Sequence, residues 1–202
     1  SIFFVSTWVK DKFFKITSDD GNVIGNPINF NDFNSPNISL AIKNILWVGR
    51  IDKNKNPIKL INDFFLLSAR QKYNLTIIGD GPLRNNVQNL IKTSLHIKYV
   101  ESISSIDDLY KNQDALIITS HYETWGYTAV EATISGLHVF SYKNGGVQEV
   151  LGDNEFILEK DKNLFEQMEC YFINNNALEI IQSRREHVMR FDVKKYCSKI
   201  FE

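Results

Sequence analysis

From Asn44 onward, the sequence alternates between short apolar segments and segments with the period of an amphipathic helix. The apolar segments NILWVG, NLTIIG, IKYV, DALIITS and LHVFSY have the length of buried strands. Helix signals fall between them, such as Asn56 and Pro57, which suit an N-cap and the first helical position. This alternation predicts an α/β fold, in which helices cover both faces of a parallel sheet and ligands bind at the carboxyl ends of the strands.

The composition argues against several classes of function. The chain has 202 residues and a formal net charge of -1, with Lys and Arg scattered along it, so it lacks the basic segment typical of nucleic-acid binding. Its longest apolar runs are too short to span a bilayer, which leaves at most peripheral membrane contact. Cys170, Cys197 and the histidines show no metal-ligand or redox spacing, so we expect no metal and a reducing, cytoplasmic location.

The strongest candidate site lies in the stretch SHYETWGYTAVEATISG. We expect Glu123 in a loop at the carboxyl end of a strand. Gly126 would interrupt the regular structure, and the helix that follows would end at Gly136. We expect Glu131 in the first helical turn, beside backbone N–H groups that point into the crevice. A ligand that carries both phosphates and sugar hydroxyls would suit this arrangement.

Four motifs in register resemble a known family. They are VGRIDKNKNP, IIGDGPLRNNV, ETWGYTAVE and NGGVQEV, in that order and at fitting intervals. They resemble the retaining GT-B glycosyltransferases of the family 4 type, the glycosyl transferases group 1. The resemblance implies a Rossmann-like, C-terminal donor-binding domain over residues 41–190, after an N-terminal-domain remnant and linker over 1–40. Residues 191–202 would be the C-terminal crossover helix.

By the same resemblance, the catalytic residues are Glu123, Arg50 and Lys55. The two cations would hold the leaving diphosphate, with Lys53 as the competitor for the lysine role, and Glu123 would face the transferred sugar. Glu131 would accept hydrogen bonds from the ribose hydroxyls. Each residue also has a simpler interpretation: a solvated loop for the cations, a surface glutamate for Glu123, and a helix-dipole contact for Glu131.

Further residues are expected to bind the donor. Gly126, Tyr127 and Thr128 would offer backbone N–H groups and a hydroxyl to the phosphates. Gly79 and Gly81 would let the backbone turn next to the nucleotide, although a strand-to-helix turn explains them equally well.

Other residues of the motifs have a structural interpretation or depart from the family pattern. We interpret Gly145, Gly146 and Glu149 as structural. Thr124 and Trp125 stand where relatives usually have Gly and Phe, which puts the family's donor-sugar pocket in question for this chain.

The expected function is therefore retaining transfer of a hexosyl group from a UDP-, GDP- or ADP-sugar, without cofactor or metal. The acceptor would be a glycan or glycolipid of polysaccharide, lipopolysaccharide or capsule biosynthesis, bound through a missing N-terminal domain at the inner face of the membrane. This chain alone would be inactive in transfer. Two alternatives remain open: a non-catalytic nucleotide-sugar-binding or partner-docking module, and a dinucleotide oxidoreductase. The absence of G-x-G-x-x-G after the first strand weakens the oxidoreductase.

Overall fold

The computed structural model describes residues 2–33, 38–67, 72–152, 157–174 and 176–201. In chain order, their strands are β1 (Phe3–Phe4), β2 (Asn22–Val23), β3 (Asn44–Val48), β4 (Asn74–Ile78), β5 (Ile97–Val100), β6 (Ala115–Ile118), β7 (His138–Tyr142) and β8 (Ile157–Leu158). Strands β3 to β8 form one parallel sheet in the order β5-β4-β3-β6-β7-β8, and β1 pairs with β2 in a separate two-stranded parallel sheet.

Helices connect these strands, as the alternation predicts. They are α1 (Thr7–Thr17), α2 (Pro57–Leu66), α3 (Arg84–Ile91), α4 (Ile106–Tyr110), α5 (Tyr127–Ile134), α6 (Gly146–Leu151), α7 (Leu164–Asn174), α8 (Ala177–Val188) and α9 (Val193–Phe201). Asn56 caps α2 as predicted, because its side chain accepts the Lys59 N–H, and Pro57 is the first helical residue. Within the described ranges, no helix is long and apolar enough to cross a bilayer.

The six-stranded sheet is buried on both faces. Along β3, Ile45 and Trp47 pack into one apolar cluster, whereas Leu46 between them packs into the other. Successive side chains of a strand point to opposite faces, so such a central strand is apolar throughout and its segment reads as an uninterrupted apolar run. The predicted α/β fold, with a parallel sheet between helical layers, is confirmed.

The order of the strands creates a switch point between β3 and β6. The chain proceeds outward from β3 through β4 to β5, and then returns to place β6 on the other side of β3. The connections after β3 and after β6 therefore diverge, which opens a crevice at the carboxyl ends of these two strands. Ligands of open α/β sheets bind in such crevices.

The first part of the chain packs against the last. Ile28 donates its N–H to the Phe191 carbonyl and accepts from the Val193 N–H, so the segment after β2 runs beside the segment before α9. The Ser6 hydroxyl donates to the Thr124 carbonyl at 2.6 Å, which joins the start of α1 to the loop after β6. The assignment of residues 1–40 to another domain and a linker stays a prediction.

The carboxyl ends of β3 and β4 approach so closely that only glycine fits at Gly79. Gly49 and Gly79 follow the two strands, at φ of 159° and 143°. A Cβ on Gly79 would overlap the Gly49 carbonyl oxygen, whereas a Cβ on Gly49 would meet its nearest neighbour, the Lys55 side chain, at 3.7 Å. Gly81 is similarly confined, because a Cβ on it would lie 2.5 Å from the Ile51 carbonyl oxygen. Packing alone therefore accounts for Gly79 and Gly81, and their role in donor binding stays a prediction.

We expect Gly79→Ala to lower the free energy of unfolding more than Gly49→Ala. Both substitutions place a side chain in a backbone region that costs about 1–3 kcal/mol. Only the alanine at position 79 also overlaps a carbonyl oxygen. Urea unfolding of the two variants measures the difference, and equal losses would contradict the close approach of the strand ends.

Candidate functional site

Two loops meet at the crevice between β3 and β6. The loop after β3 carries Arg50 and Lys55, and the loop after β6 carries Glu123. Lys55 Nζ lies 2.5 Å from Glu123 Oε1, and the same oxygen accepts the Ser120 hydroxyl at 2.7 Å. The two side chains that the sequence analysis placed in one site are therefore in direct contact, although 68 residues separate them.

The positions of the cations differ. Arg50 is exposed, and its Nε lies 3.5 Å from Asp52 Oδ2, within its own loop. Lys53 is also exposed, whereas the Lys55 side chain is only 28% exposed because it extends over the loop of Glu123. The geometry thus favours Lys55 over Lys53 as the lysine of the site. The role of Arg50 in the site stays a prediction.

Buried hydrogen bonds fix the position of Lys55. The Trp47 indole N–H donates to the Thr119 hydroxyl at 2.9 Å, and this hydroxyl donates to the Lys55 carbonyl at 2.7 Å. Asn54 adds a second link, because its carbonyl accepts the N–H of His121 at 2.8 Å. His121 itself is an exposed loop residue.

The connection after β7 completes the rim of the site. Its Asn144 carbonyl accepts the Glu123 N–H at 2.8 Å, and the Glu123 carbonyl accepts the Gly146 N–H at 2.9 Å. A Cβ on Gly145 would lie 2.5 Å from the Glu123 carbonyl oxygen, and one on Gly146 would overlap the loop at Thr124. The structural interpretation of the two glycines agrees with this packing.

Glu149 has the structural role that we expected. Its two carboxylate oxygens accept the Thr7 N–H at 2.8 and 3.0 Å, and one of them also accepts the Thr7 hydroxyl. The carboxylate therefore satisfies a free N–H at the start of α1. Together with the Ser6 hydroxyl, it attaches α1 to the rim of the site.

Helix α5 begins behind the Glu123 loop. Gly126 caps it at φ 102°, and no side chain accepts a hydrogen bond at this cap. The N–H groups of Tyr127 and Thr128 occupy the first two helical positions, where the helix offers no acceptor. Trp125 is buried, with its ring edge-on to Tyr127 and Phe191 at centroid distances of 4.7 and 5.1 Å. These contacts fix the Trp125 ring, which stands where relatives usually have Phe. The neighbouring Thr124 is exposed.

Glu131 does not lie in the first helical turn, so that expectation was wrong. Because Tyr127 is the first helical residue, Glu131 is the fifth and lies in the second turn. Its Oε2 accepts the Tyr110 hydroxyl at 2.6 Å rather than a backbone N–H. The helix-dipole interpretation fails for the same reason, since the dipole acts mainly within the first turn.

Burial shifts the titration of this pair. Burial raises the pKa of the Glu131 carboxyl above its usual value, and the Tyr110 hydrogen bond opposes the rise. Burial and the adjacent carboxylate raise the pKa of the Tyr110 phenol well above its usual value. Tyr110 was missed by the sequence analysis, because a tyrosine at the end of an apolar helical segment is ordinary core composition.

Comparison with known proteins identifies the family of this chain. The family model described as glycosyl transferases group 1 matches residues 30–185. The chain belongs to this family. The fold is that of the GT-B glycosyltransferases, and the predicted family is confirmed, whereas the retaining mode stays a prediction.

The glycosyltransferase relatives are longer than this chain. A Campylobacter jejuni enzyme, GalNAc-alpha-(1->4)-GalNAc-alpha-(1->3)-diNAcBac-PP-undecaprenol alpha-1,4-N-acetyl-D-galactosaminyltransferase, is 25% identical over 134 residues, 64% of this chain and 37% of its own length. A glycosyltransferase structure from Rickettsia africae superposes with TM-score 0.83 at 22% identity, over 100% of this chain and 62% of that one. Anabaena HepE in complex with UDP and glucose gives 0.78 at 19% identity, over 98% and 61%. The chain thus spans about a third to three fifths of these proteins.

The described residues of this glycosyltransferase chain contain no group of three or more His, Cys, Asp or Glu side chains placed to hold a metal ion. Lys55 contacts Glu123 directly, and Glu123 and Glu131 each accept a side-chain hydroxyl, from Ser120 and Tyr110. The roles assigned to these residues from the sequence stay predictions.

We expect Glu131→Gln to stabilise the glycosyltransferase chain at neutral pH. Folding raises the pKa of this carboxyl, so the folded state holds a proton that the unfolded state has lost, and stability falls as pH rises from about 4.5 through the folded-state pKa. Glutamine has no such cost and still accepts the Tyr110 hydroxyl. Urea unfolding from pH 4 to 8 measures the effect.

The matched control is Glu159→Gln, because Glu159 is 62% exposed and its charge remains solvated. We expect the control to differ from the parent chain by less than about 0.5 kcal/mol at each pH. A stability of Glu131→Gln at or below that of the parent chain at pH 8 would show that burial does not penalise the Glu131 charge.

Proposed function

We propose that this chain is the donor-binding half of a retaining glycosyltransferase. It binds a nucleoside diphosphate sugar, and the whole protein transfers the hexosyl group to an acceptor hydroxyl with the anomeric configuration kept. The proposal includes the division into an N-terminal-domain remnant and linker at 1–40, a donor domain at 41–190 and a crossover helix at 191–202. Membership of the family and the parallel sheet with its switch point support it.

The observation that carries the proposal is the contact of Lys55 with Glu123, together with an unused acceptor oxygen on each of Glu123 and Glu131. Glu123 uses Oε1 for Lys55 and Ser120, and Glu131 uses Oε2 for Tyr110. Among the described residues, the other oxygen of each carboxylate has no hydrogen-bond partner. The second oxygen of Glu123, beside the Lys55 ammonium, provides a site for a sugar hydroxyl next to a site for phosphate, and the second oxygen of Glu131 provides a further acceptor.

The roles follow from this placement. Lys55, Arg50 and the first N–H groups of α5 hold the diphosphate, which leaves with the electron pair when its bond to the anomeric carbon breaks. Glu123 orients the transferred sugar, and Glu131 accepts the ribose hydroxyls. The acceptor oxygen bonds to the anomeric carbon on the same face, and its proton passes to the leaving phosphate. These cations replace a divalent metal in the proposal.

The names of similar proteins support the substrate classes. HepE is described in complex with UDP and glucose, and the Campylobacter enzyme transfers N-acetyl-D-galactosamine to an undecaprenol-linked glycan. We propose a UDP-, GDP- or ADP-sugar as donor and a glycan or glycolipid of polysaccharide, lipopolysaccharide or capsule biosynthesis as acceptor. The reaction would take place in the cytoplasm at the inner face of the membrane. The acceptor would bind mainly outside this chain, which by itself would be inactive in transfer.

We expect the chain to bind at least one of UDP, GDP and ADP in the presence of EDTA. Glu131→Ala should weaken that binding by about 1.5–3 kcal/mol, the range for hydrogen bonds to a charged group. Titration calorimetry measures both effects. Binding that requires magnesium would contradict the metal-free site.

The matched control for this experiment is Glu169→Ala. Glu169 also accepts a tyrosine hydroxyl, that of Tyr73 at 2.7 Å, but Tyr73 precedes β4 and lies at the amino end of the sheet, opposite the crevice. The control should bind with unchanged affinity. If Glu131→Ala folds and binds as tightly as the control, Glu131 does not hold the ribose.

We expect Glu123→Gln to strengthen nucleoside diphosphate binding slightly and to reduce turnover of the full-length protein. The substitution releases the Lys55 ammonium from a competing carboxylate, and a partly exposed ion pair contributes about 0.2–1 kcal/mol. The rate falls because Glu123 acts on the sugar in the transition state. Calorimetry on the chain and a transfer assay on the full-length protein measure the two effects.

Glu159→Gln is the control, since it breaks an ion pair with Lys162 that is exposed on both sides. This control should change neither nucleoside diphosphate affinity nor turnover. Unchanged turnover in Glu123→Gln would remove this residue from the catalytic set, and loss of nucleotide affinity would mean that Glu123 holds Lys55 in place for the phosphate. Nucleotide-sugar binding without transfer by the full-length protein would favour the binding module over the enzyme.

A further inference from the structure

Tyr110 lies behind the site and contacts Glu131. It is the last residue of α4, its side chain is 3% exposed, and its ring packs in the apolar cluster on the face of the sheet that also holds Ala129 and Val130 of α5. Its hydroxyl reaches Glu131 Oε2 at 2.6 Å. A buried phenol needs an acceptor, and this one has its acceptor in a carboxylate that the proposed function uses.

The hydrogen bond leaves Glu131 with one defined acceptor. Within the described part of the chain, Tyr110 is the sole hydrogen-bond partner of the Glu131 side chain, and no cation forms an ion pair with this carboxylate. Glu131 is half-buried, and the hydrogen bond restricts rotation of its carboxylate. With Oε2 held by the phenol, Oε1 is the oxygen that remains for a ligand.

We propose that Tyr110 is a positioning residue for nucleotide recognition: by binding Oε2, it presents Oε1 of Glu131 to the ribose hydroxyls. This inference rests on the proposed function. A phenol suits the task because it is a neutral donor, which orients the carboxylate while leaving its negative charge for the ligand. A lysine or arginine would orient the carboxylate as well but would neutralise it.

The chain offers an internal comparison for a purely structural role. Tyr73 is 7% exposed and donates to Glu169 Oε1 at 2.7 Å, the same chemical pair at nearly the same distance. It lies in the other apolar cluster, at the amino end of β4. Removing either hydroxyl deletes one hydrogen bond between a buried tyrosine and a glutamate, but the proposed function assigns only Glu131 to the nucleotide.

The experiment compares Tyr110→Phe and Tyr73→Phe by titration calorimetry with whichever of UDP, GDP and ADP binds the parent chain most tightly. Tyr110→Phe should weaken binding about two- to tenfold, the equivalent of one ordinary hydrogen bond, and Tyr73→Phe should leave it unchanged. The 2′-deoxy form of the same nucleotide lacks one of the hydroxyls that Glu131 would accept. The loss in Tyr110→Phe should therefore be smaller with the deoxy nucleotide.

A spectroscopic measurement completes the test without ligand. Because the Tyr110 hydrogen bond favours the charged carboxylate, Tyr110→Phe should raise the titration midpoint of the Glu131 carboxyl carbon in NMR, and Tyr73→Phe should leave it in place. This shift would establish that the phenol acts on the Glu131 carboxylate. A structural role alone would give the same shift but an equal change in binding of the ribose and deoxyribose nucleotides, so the deoxy comparison separates the two roles.

The outcomes separate the two proposals. If the parent chain binds none of the three nucleotides, the proposed function fails and this inference falls with it. If the parent chain binds and Glu131→Gln weakens binding, but Tyr110→Phe binds both forms of the nucleotide like the parent chain, the positioning role is overturned and the proposed function stands. An equal loss with the ribose and deoxyribose forms would also overturn it.

Discussion

The parallel pairing of β3 with β6 determines where the site lies. The two strands are about 70 residues apart in the chain, but Ile45 lies opposite Ala115 and Leu46 opposite Leu116. Since both strands run in the same direction, their carboxyl ends are adjacent, and the loops that follow must share one crevice. The contact between Lys55 and Glu123 is a consequence of this register. A sheet that placed β4 or β7 next to β3 on that side would separate the two side chains.

The register alone would leave the loops free to move, and the buried hydroxyl of Thr119 provides the missing restraint. A hydroxyl can accept one hydrogen bond and donate another, and this one accepts from Trp47 on β3 and donates to the Lys55 carbonyl. The Thr119 hydroxyl, just after β6, therefore links the Trp47 side chain of β3 to the loop that follows β3. Because the tryptophan is buried, these two hydrogen bonds are shielded from competing water. They fix the backbone of Lys55 relative to the sheet.

The sequence predicted the parts of the structure that depend on local patterns. Apolar runs identified the strands, and Asn56 with Pro57 identified the start of α2, because both signals lie within a few residues. The site required more than local information. The family motifs placed Lys55 and Glu123 in one site. They did not indicate the hydrogen bonds of Trp47, Thr119 and Tyr110, since the partners of these side chains lie 21 to 72 residues away. Such side chains have the composition of ordinary core.

Three glutamates of the family motifs differ in how far the protein itself uses their carboxylate oxygens. Glu149 uses both oxygens on Thr7 and thereby holds α1, so it has little capacity left for a ligand. Glu123 and Glu131 each use one oxygen and keep the other without a partner among the described residues. For Glu131 this incomplete satisfaction is costly, because burial raises the pKa of its carboxyl. The Glu131 charge therefore lowers the stability of the free protein, and under the proposed function a ligand would complete the hydrogen bonds of this carboxylate. The sugar hydroxyls of a nucleotide donor are groups that can do so, and they would reach Glu131 from the crevice that the pairing of β3 with β6 creates.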